Sequence, residues 1–440
     1  MASASAPISE RDAVRRLLQR MGLGPRPGEL ASAAAAGFDA TLEALIGPPH
    51  SSDAGVAATP PPAFGPANTA GTTQAAARRA QRQVAGEQSR QAVTWWLNRM
   101  VAADRPFPER MTWFWHGHFA TSVRKVGSAA LMLDQNETQR RLGTGDFRQL
   151  AQAMIVDPAM LVWLDGSGSR AAHPNENLSR EFMELFTLGV GNYSENDVRA
   201  AARALTGWRV NFLTDTSGPA PANHDPGPET VLGTAAAFDA ASFVDLLLSR
   251  PASPRFIACR IWTRFVAAAP PDAATLDALV QAYGSDHDIT GLMRAVVASA
   301  AFRAPASVLV RQPVEWLVAA LRALKLPASK INPAALNAAL AAMGQIPFAP
   351  PSVGGWPSGP AWLTSSAALA KIQISAVLAA AGDLSPVTDA PAAGRVAATA
   401  ELLGLPPFTQ RTANALALLI SHPPQLVAAA LASPESWVSA

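Results

Sequence analysis

The sequence predicts an all-α fold: one large domain of packed helices with long Pro/Gly-rich loops and little or no sheet. Alanine, the residue with the highest helix propensity, recurs in blocks such as AATAELLGL and VLAAAGDL. Strict alternation of apolar and polar residues, which is typical of half-buried strands, is rare. No fixed-period repeat is evident, which argues against a solenoid. With 49% hydrophobic and 15% charged residues, the chain can build a sizeable core.

The helices at the start of the chain are separated by clear breakers. The first is predicted over residues 11–21, where GLGPRPG ends it, and the second over 29–46. We assign both to the N-terminal helices of the domain, residues 1–46, followed by a Pro/Gly-rich linker or loop over 47–73. The main helical domain then covers 74–440.

Helical spacing dominates the main domain. Its first helix is predicted to extend to about Met100, and the block up to Trp208 is densest in aromatic and charged residues. The Pro-rich loop TDTSGPAPANHDPGPETVLG follows. From about Ala240 onward, Pro and Gly separate further predicted helices: ASFVDLLLS, SPRFIACRIWTRFV, AATLDALVQAYG, DITGLMRAVVAS and PVEWLVAALRAL.

Charge and cysteine usage exclude several classes of protein. The net charge of +2 comes without a concentrated basic patch, so we expect no nucleic-acid partner. The single Cys259 excludes an internal disulfide framework. The sequence lacks a stretch of about 18 apolar residues, so we expect no integral membrane span. Because the N-terminus lacks a basic segment followed by an apolar one, we expect a cytoplasmic location for the chain as written, or a periplasmic or exported one if a leader has been removed.

The segment MTWFWHGHFATS places two histidines in an aromatic run. At about 100° per residue, His118 shares a helical face with Met111 and Phe114, whereas His116 points the opposite way. One interpretation is a core-facing His118 with one hydrogen bond and a His116 at the surface. The alternative is a metal site, which requires Gly117 to break the helix so that both imidazoles can converge.

A second candidate segment is PNENLSREFMELFTLGVGNYSENDVRAAARALTGW, residues 174–208. On its helical wheel Glu181 falls inside the apolar arc and Glu184 at the edge of that arc. A buried carboxylate needs a partner, because burying it unpaired costs several kcal/mol. Arg180 can pair with Glu176 and Glu184, each four residues away, but the two carboxylates Glu181 and Glu184 also suit a metal site between helices.

Two shorter motifs have different explanations. SEND is a capping box in which Ser194 and Asp197 start a helix, so these residues need no chemical role. NHDPG places His224 beside Asp225 in a loop, where both could ligate a metal. The alternative is an ordinary Asp-Pro-Gly turn.

Several segments, in this order, resemble a large bacterial family, the domain of unknown function numbered 1800. They are ERMTWFWHGHFATS, DPAMLVWLDG, the Asn-Glu-Asn block, HDPGPETVLG, RFIACRIWTRFV, PVEWLVAALRAL and PPSVGGWPSGPAWL. The resemblance extends over nearly the whole chain. It implies no activity, but it implies a sulfatase-like partner protein and a periplasmic or surface setting.

The resemblance also singles out positions of this chain. They are His116, His118, Asn175, Glu176, Asn177, Arg180, Glu181, Glu184, Trp208, His224 and Asp225. The chain departs from the family pattern at Leu142, where a histidine is expected, and at Glu229, where a lysine is usual. If either residue serves the site, this chain is a variant.

The first functional hypothesis is a metal-dependent enzyme, most simply a hydrolase, with an oxidase reaction as a further option. A divalent metal ion would activate water at a site between helices. The candidate catalytic residues are Arg180, Glu181 and Glu184, and the candidate metal ligands are His116, His118, Glu181, His224 and Asp225.

The second hypothesis is a non-catalytic helical scaffold or chaperone for the sulfatase-like partner. In that case Glu181 pairs with Arg180 or a histidine, and the loop around Trp356 and Trp362 forms an interaction surface.

Overall fold

The computed structural model describes residues 6–47, 52–65 and 75–440, and helices predominate in them. The first nine helices are α1 (Glu10–Arg20), α2 (Glu29–Ala36), α3 (Phe38–Ile46), α4 (Ala54–Ala57), α5 (Ala75–Ala102), α6 (Phe107–His118), α7 (Val123–Val126), α8 (Ala129–Leu142) and α9 (Phe147–Ile155). The next seven are α10 (Pro158–Trp163), α11 (Asn177–Glu181), α12 (Glu195–Ala204), α13 (Ala240–Leu248), α14 (Ala252–Phe265), α15 (Ala273–Tyr283) and α16 (Ile289–Ala298).

The last eight α-helices are α17 (Pro313–Ala323), α18 (Pro333–Ala342), α19 (Ser365–Ala381), α20 (Ser385–Thr388), α21 (Arg395–Leu402), α22 (Gln410–Ala417), α23 (Pro423–Leu431) and α24 (Pro434–Trp437). A π-helix, Phe182–Thr187, continues α11. Short 3₁₀ turns occur at Gly166–Gly168, Pro221–Asn223, Ala300–Arg303, Ala328–Lys330, Gly359–Trp362 and Ala392–Gly394. The prediction of an all-α fold is confirmed.

Strands contribute only three two-stranded antiparallel sheets to the described residues. The pairs are β1 (Trp208–Asn211) with β2 (Thr216–Pro219), β3 (Glu229–Val231) with β4 (Thr234–Ala236), and β5 (Leu309–Val310) with β6 (Val438–Ser439). The third pair matters most for the architecture, because it brings the C-terminus beside the start of α17.

The helix predicted over 29–46 is wrong in one respect, since it is two helices. Gly37 separates α2 from α3 with a φ of 92°, a conformation that glycine adopts without the steric penalty of a side chain. Of the predicted linker 47–73, residues 48–51 and 66–73 lie outside the described residues. In the described part, Asp53 caps α4 by accepting a hydrogen bond from the Val56 N–H at 2.8 Å.

Helix α6 lies between two hydrophobic core clusters. Met111 and Trp115 belong to one cluster, whereas Trp113 belongs to the other. All residues of α6 except Pro108 and Gly117 are buried. A helix buried all round has no solvent face, so its polar side chains must find partners inside the protein.

Glu109 of α6 is the clearest example of such a partnered side chain. It is 1% exposed and accepts hydrogen bonds from Trp96 Nε1 at 3.0 Å, Arg99 Nε at 2.9 Å and Arg140 Nε at 2.6 Å. Glu137 pairs with Arg140 at 2.8 Å and lies 3.7 Å from Arg99. We call these residues the Glu109 cluster, and its two carboxylates balance its two guanidinium groups.

Within the described residues, every helix is too short or too polar to span a bilayer.

Candidate functional site

His116 is buried, so the interpretation that placed it at the surface is wrong. It is 1% exposed, and its Nε2 accepts a hydrogen bond from the Phe348 N–H at 3.0 Å. Its ring also contacts Trp96 and Trp356. The helical wheel failed here because both faces of α6 are covered. Burial lowers the pKa of His116 to about 3, so the imidazole is neutral at pH 7.

His118 is also buried, as expected, and has one hydrogen bond. Its Nε2 lies 3.0 Å from the Phe186 carbonyl oxygen, while its Nδ1 has no partner among the described residues. Burial, assisted by the charge of Arg260, lowers the pKa of His118 to about 3. The ring is therefore neutral, and Nδ1 is a free acceptor once Nε2 donates its proton to the carbonyl.

Gly117 does not break the helix between the two histidines, because α6 continues to His118. The close contact at this point depends on a glycine of the neighbouring loop instead. Gly355, with a φ of 80°, lies so close that a Cβ there would overlap the Gly117 carbonyl oxygen. Gly355 therefore lets the loop carrying Trp356 approach α6, and the Trp356 indole stacks on Trp113 with ring centroids 5.1 Å apart.

The carboxylates of the 174–208 segment lie less deeply than the helical wheel indicates. Glu181 and Glu184 are both only half-buried, and Glu184 accepts a hydrogen bond from the Tyr193 hydroxyl. The chain changes to a π-helix after Glu181, and the wider turn shifts the phase on which the wheel depends. Burial and the neighbouring Glu184 raise the pKa of Glu181.

Arg180 forms two ion pairs, one of which the sequence predicted. The predicted pair with Glu176 is confirmed at 3.0 Å, and the second partner is Glu195 of α12 at 2.6 Å rather than Glu184. These partners fix α11 against α12. The capping box that starts α12, Ser194 with Asp197, is confirmed.

His224 and Asp225 are attached to the end of α12. His224 Nδ1 lies 3.0 Å from the Thr206 carbonyl oxygen, and Asp225 pairs with Arg203 at 2.9 Å. Arg203 also pairs with Glu229 at 2.6 Å, which gives the departure at Glu229 a structural role in this chain.

The predicted ligands therefore occupy separate environments: His116 contacts the loop after α18, His118 the π-helix, and His224 with Asp225 the end of α12. Among residues 6–47, 52–65 and 75–440, no group of three or more His, Cys, Asp or Glu side chains is arranged to hold a metal ion. The divalent-metal site stays a prediction.

Of the two tryptophans proposed as an interaction surface, Trp362 is only 3% exposed, so its assignment to that surface is wrong.

A cleft that the sequence analysis did not identify lies beside α6. One cavity of about 210 Å³ is lined by four arginines, Arg20, Arg110, Arg264 and Arg311, and by one carboxylate, Glu315. A second cavity of about 120 Å³ is lined by His118, Arg260 and Trp356 among others. Thr263, Arg264 and Ser358 line both, so the two cavities adjoin.

The carboxylate of the first cavity is shared by two arginines. Glu315 Oε1 lies 3.0 Å from Arg110 Nη2 and also contacts Arg264 Nη2. Burial opposes ionisation of Glu315, but Arg110 and Arg264 outweigh it and hold its pKa below the usual value. Arg110 keeps a second donor, Nη1, that is buried and has no hydrogen-bond partner among the described residues.

Arg311 has the least satisfied guanidinium group in this cavity. The residue is 7% exposed, and both its Nε and its Nη2 are buried without a hydrogen-bond partner in the described part of the chain. Burial lowers the pKa of Arg311 to about 10, which still leaves it charged at pH 7. We refer to Arg110, Arg264, Arg311 and Glu315 as the arginine cleft.

Arg20 lines the same cavity but is saturated with acceptors. Its donors reach carbonyl and hydroxyl oxygens of Phe265, Val266, Ser307 and Ser439 at 2.5–3.1 Å. Because these bonds join α1 to the C-terminal strand β6, Arg20 has a structural role, and we do not count it in the arginine cleft.

A sequence signal for the cleft existed in RFIACRIWTRF. Arg260 and Arg264 are four residues apart on α14, where like charges repel each other weakly, so the spacing indicates a local concentration of positive charge. The convergence of Arg110 and Arg311 from other elements had no local signal.

A family model described as protein of unknown function (DUF1800) matches residues 16–438. No curated protein and no solved structure matches the chain.

Proposed function

The chain belongs to this family of unknown function, and from its geometry we propose that it is a non-catalytic helical scaffold that binds an anionic group in the arginine cleft. The anionic group is a carboxylate, phosphate or sulfate carried by a ligand. This proposal develops the scaffold hypothesis. The sulfatase-like partner and the exported setting implied by the resemblance stay predictions.

The observation that carries the proposal is the Arg311 guanidinium, two of whose three nitrogens are buried without a hydrogen-bond partner among the described residues. The arginine cleft contains three charged guanidinium groups and one carboxylate, which pairs with Arg110 and Arg264, and Arg311 Nε and Nη2 have no acceptor among the described residues. A buried charge without a partner costs several kcal/mol. An anion in the cavity would accept these hydrogen bonds and balance the charge, and guanidinium groups match oxyanions in a two-point geometry.

Further support for binding rather than catalysis comes from Glu315. It is the carboxylate of this cavity, and both Arg110 and Arg264 hold it ionised. An ionised carboxylate paired in this way is a weak general base, because the arginines stabilise its unprotonated form.

The proposal predicts that inorganic phosphate or sulfate stabilises the protein at constant ionic strength. At 100 times the dissociation constant the gain would be about 2.7 kcal/mol. Calorimetric titration and thermal unfolding should show binding to the wild type and its loss in Arg311→Met.

The control is Arg411→Met, which removes the same charge from an exposed position on α22 and should leave binding unchanged. Equal binding to both variants, or none to the wild type, contradicts the proposal.

The metal-dependent hydrolase stays an untested prediction. Elemental analysis of the purified protein, with His118→Ala and Glu181→Ala beside the wild type and several divalent metals offered, is the experiment that decides it.

A further inference from the structure

The second cavity extends the arginine cleft towards His118. The two cavities share Arg264, so a ligand whose anionic group contacts Arg264 can place its next atoms in the smaller cavity. At about 120 Å³, that cavity has room for a few water-sized groups. Its polar atoms should therefore determine what the anion is attached to.

The hydrogen-bonding role of His118 is fixed by its surroundings. A carbonyl oxygen only accepts, so Nε2, 3.0 Å from the Phe186 oxygen, carries the proton. The neutral ring then has Nδ1 as an acceptor. This atom is buried without a partner among the described residues, on a side chain that is 2% exposed and lines the cavity.

Trp356 lines the same cavity and, within the described part of the chain, has an unpaired hydrogen-bond donor, whereas His118 has an unpaired acceptor. Its Nε1 is a donor that is buried and lacks a hydrogen-bond partner in the described residues. By contrast, Gln312 of this cavity is already engaged, since its Oε1 accepts from Trp113 Nε1 at 3.0 Å and Gln345 Nε2 at 2.9 Å. A hydroxyl group both donates and accepts, so it can satisfy His118 and Trp356 together.

We infer that the ligand is a small organic anion with a hydroxyl group close to its anionic end, and that His118 is a specificity-determining residue whose Nδ1 accepts a hydrogen bond from that hydroxyl group. This inference rests on the proposed function, because the arginine cleft must first hold the anion. A buried acceptor left unpaired disfavours an otherwise equal ligand that lacks the hydroxyl.

The test compares three probes in calorimetric titrations: inorganic phosphate, glycerol 3-phosphate and propyl phosphate, which lacks the hydroxyl groups. For the wild type we expect glycerol 3-phosphate to bind about tenfold or more tightly than propyl phosphate. His118→Gln, whose amide can still reach the Phe186 carbonyl, should lose this preference. His118→Asn, which restores an acceptor near the position of Nδ1, should regain part of it.

The outcomes separate the two proposals. If inorganic phosphate does not bind the wild type, the proposed function fails and this inference fails with it. If phosphate binds but the wild type does not prefer glycerol 3-phosphate, or if His118→Gln keeps the preference, only the inference fails. Trp356→Phe provides a second variant outside α6, and a preference unchanged by that substitution would also overturn the shared hydroxyl site.

Discussion

The Glu109 cluster and the arginine cleft are built from the same residue types around the first turn of α6, which contributes the adjacent residues Glu109 and Arg110, yet their charge balance differs. In the Glu109 cluster two carboxylates serve Arg99 and Arg140, and Trp96 also donates to Glu109. In the arginine cleft, Glu315 alone faces three guanidinium groups, and Arg311 Nε and Nη2 lack acceptors among the described residues.

The difference distinguishes a structural ion cluster from a binding site. Buried charges that neutralise one another hold helices together and leave nothing for a ligand to do. Buried charges of one sign that lack partners destabilise the protein when no ligand is bound. Binding a ligand of opposite charge relieves that cost. In the Glu109 cluster, ion pairs between arginines and carboxylates therefore hold α6 against α5 and α8. In the arginine cleft, the shortage of carboxylates leaves positive charge that an anion can balance.

The largest effect is expected when the balanced cluster is broken. Glu109→Gln leaves Arg99 and Arg140 facing a neutral amide in a site that is 1% exposed, and we expect a loss of about 3–5 kcal/mol in the free energy of unfolding. Denaturant unfolding measures it. The control Glu87→Gln breaks an exposed pair with Arg90 and should cost less than about 1 kcal/mol. Similar losses in both variants would show that the Glu109 cluster contributes little.

A smaller effect is expected from Glu315→Gln, because the Glu315 side chain is 15% exposed and water reaches the cleft. We expect a loss of about 1–3 kcal/mol. Added phosphate should restore part of this loss by supplying negative charge to Arg110 and Arg264, so this variant should gain more stability from phosphate than the wild type, whereas Glu109→Gln should gain only as much as the wild type. Unfolding curves with and without phosphate at constant ionic strength make the comparison. Equal responses of the two variants would contradict the distinction between the clusters.

The smallest expected effect is a change of the free energy of unfolding with pH that arises from Lys371, a neighbour of Arg311. The ammonium lies 4.6 Å from the centre of the Trp437 ring, is fully buried and has no hydrogen-bond partner among the described residues. Burial, with the charge of Arg311, lowers the pKa of Lys371 from 10.5 to about 8. The unfolded chain then binds more protons between these two values, so stability from this group rises as pH increases from about 8 to 10.5.

Lys371→Met should flatten that part of the curve of stability against pH. The measurement is the difference between wild-type and variant unfolding free energies at several pH values. A difference that stays constant from pH 8 to 10.5 would show that Lys371 keeps its proton throughout.

Helix positions were predictable because they depend on neighbouring residues. The capping box at Ser194 and the breaker after α1 act within a few residues, and both predictions hold. The prediction for His116 failed because a helical wheel assumes one solvent face, and α6 has none. Glu181 was placed too deep because the wheel assumes a regular α-helix, whereas a π-helix follows that residue.

The sequence by itself determined that the chain is helical, that its sheets are minor and to which family it belongs, since helix propensity, caps and long motifs are local properties of the chain. Only the tertiary structure decided where charge is left unbalanced. Arg110, Arg264 and Arg311 come from three separate elements, and each would be an ordinary solvated arginine if read alone. Their meeting around one carboxylate depends on how α6, α14 and α17 pack, because electrostatic cost follows distance in space rather than position in the sequence.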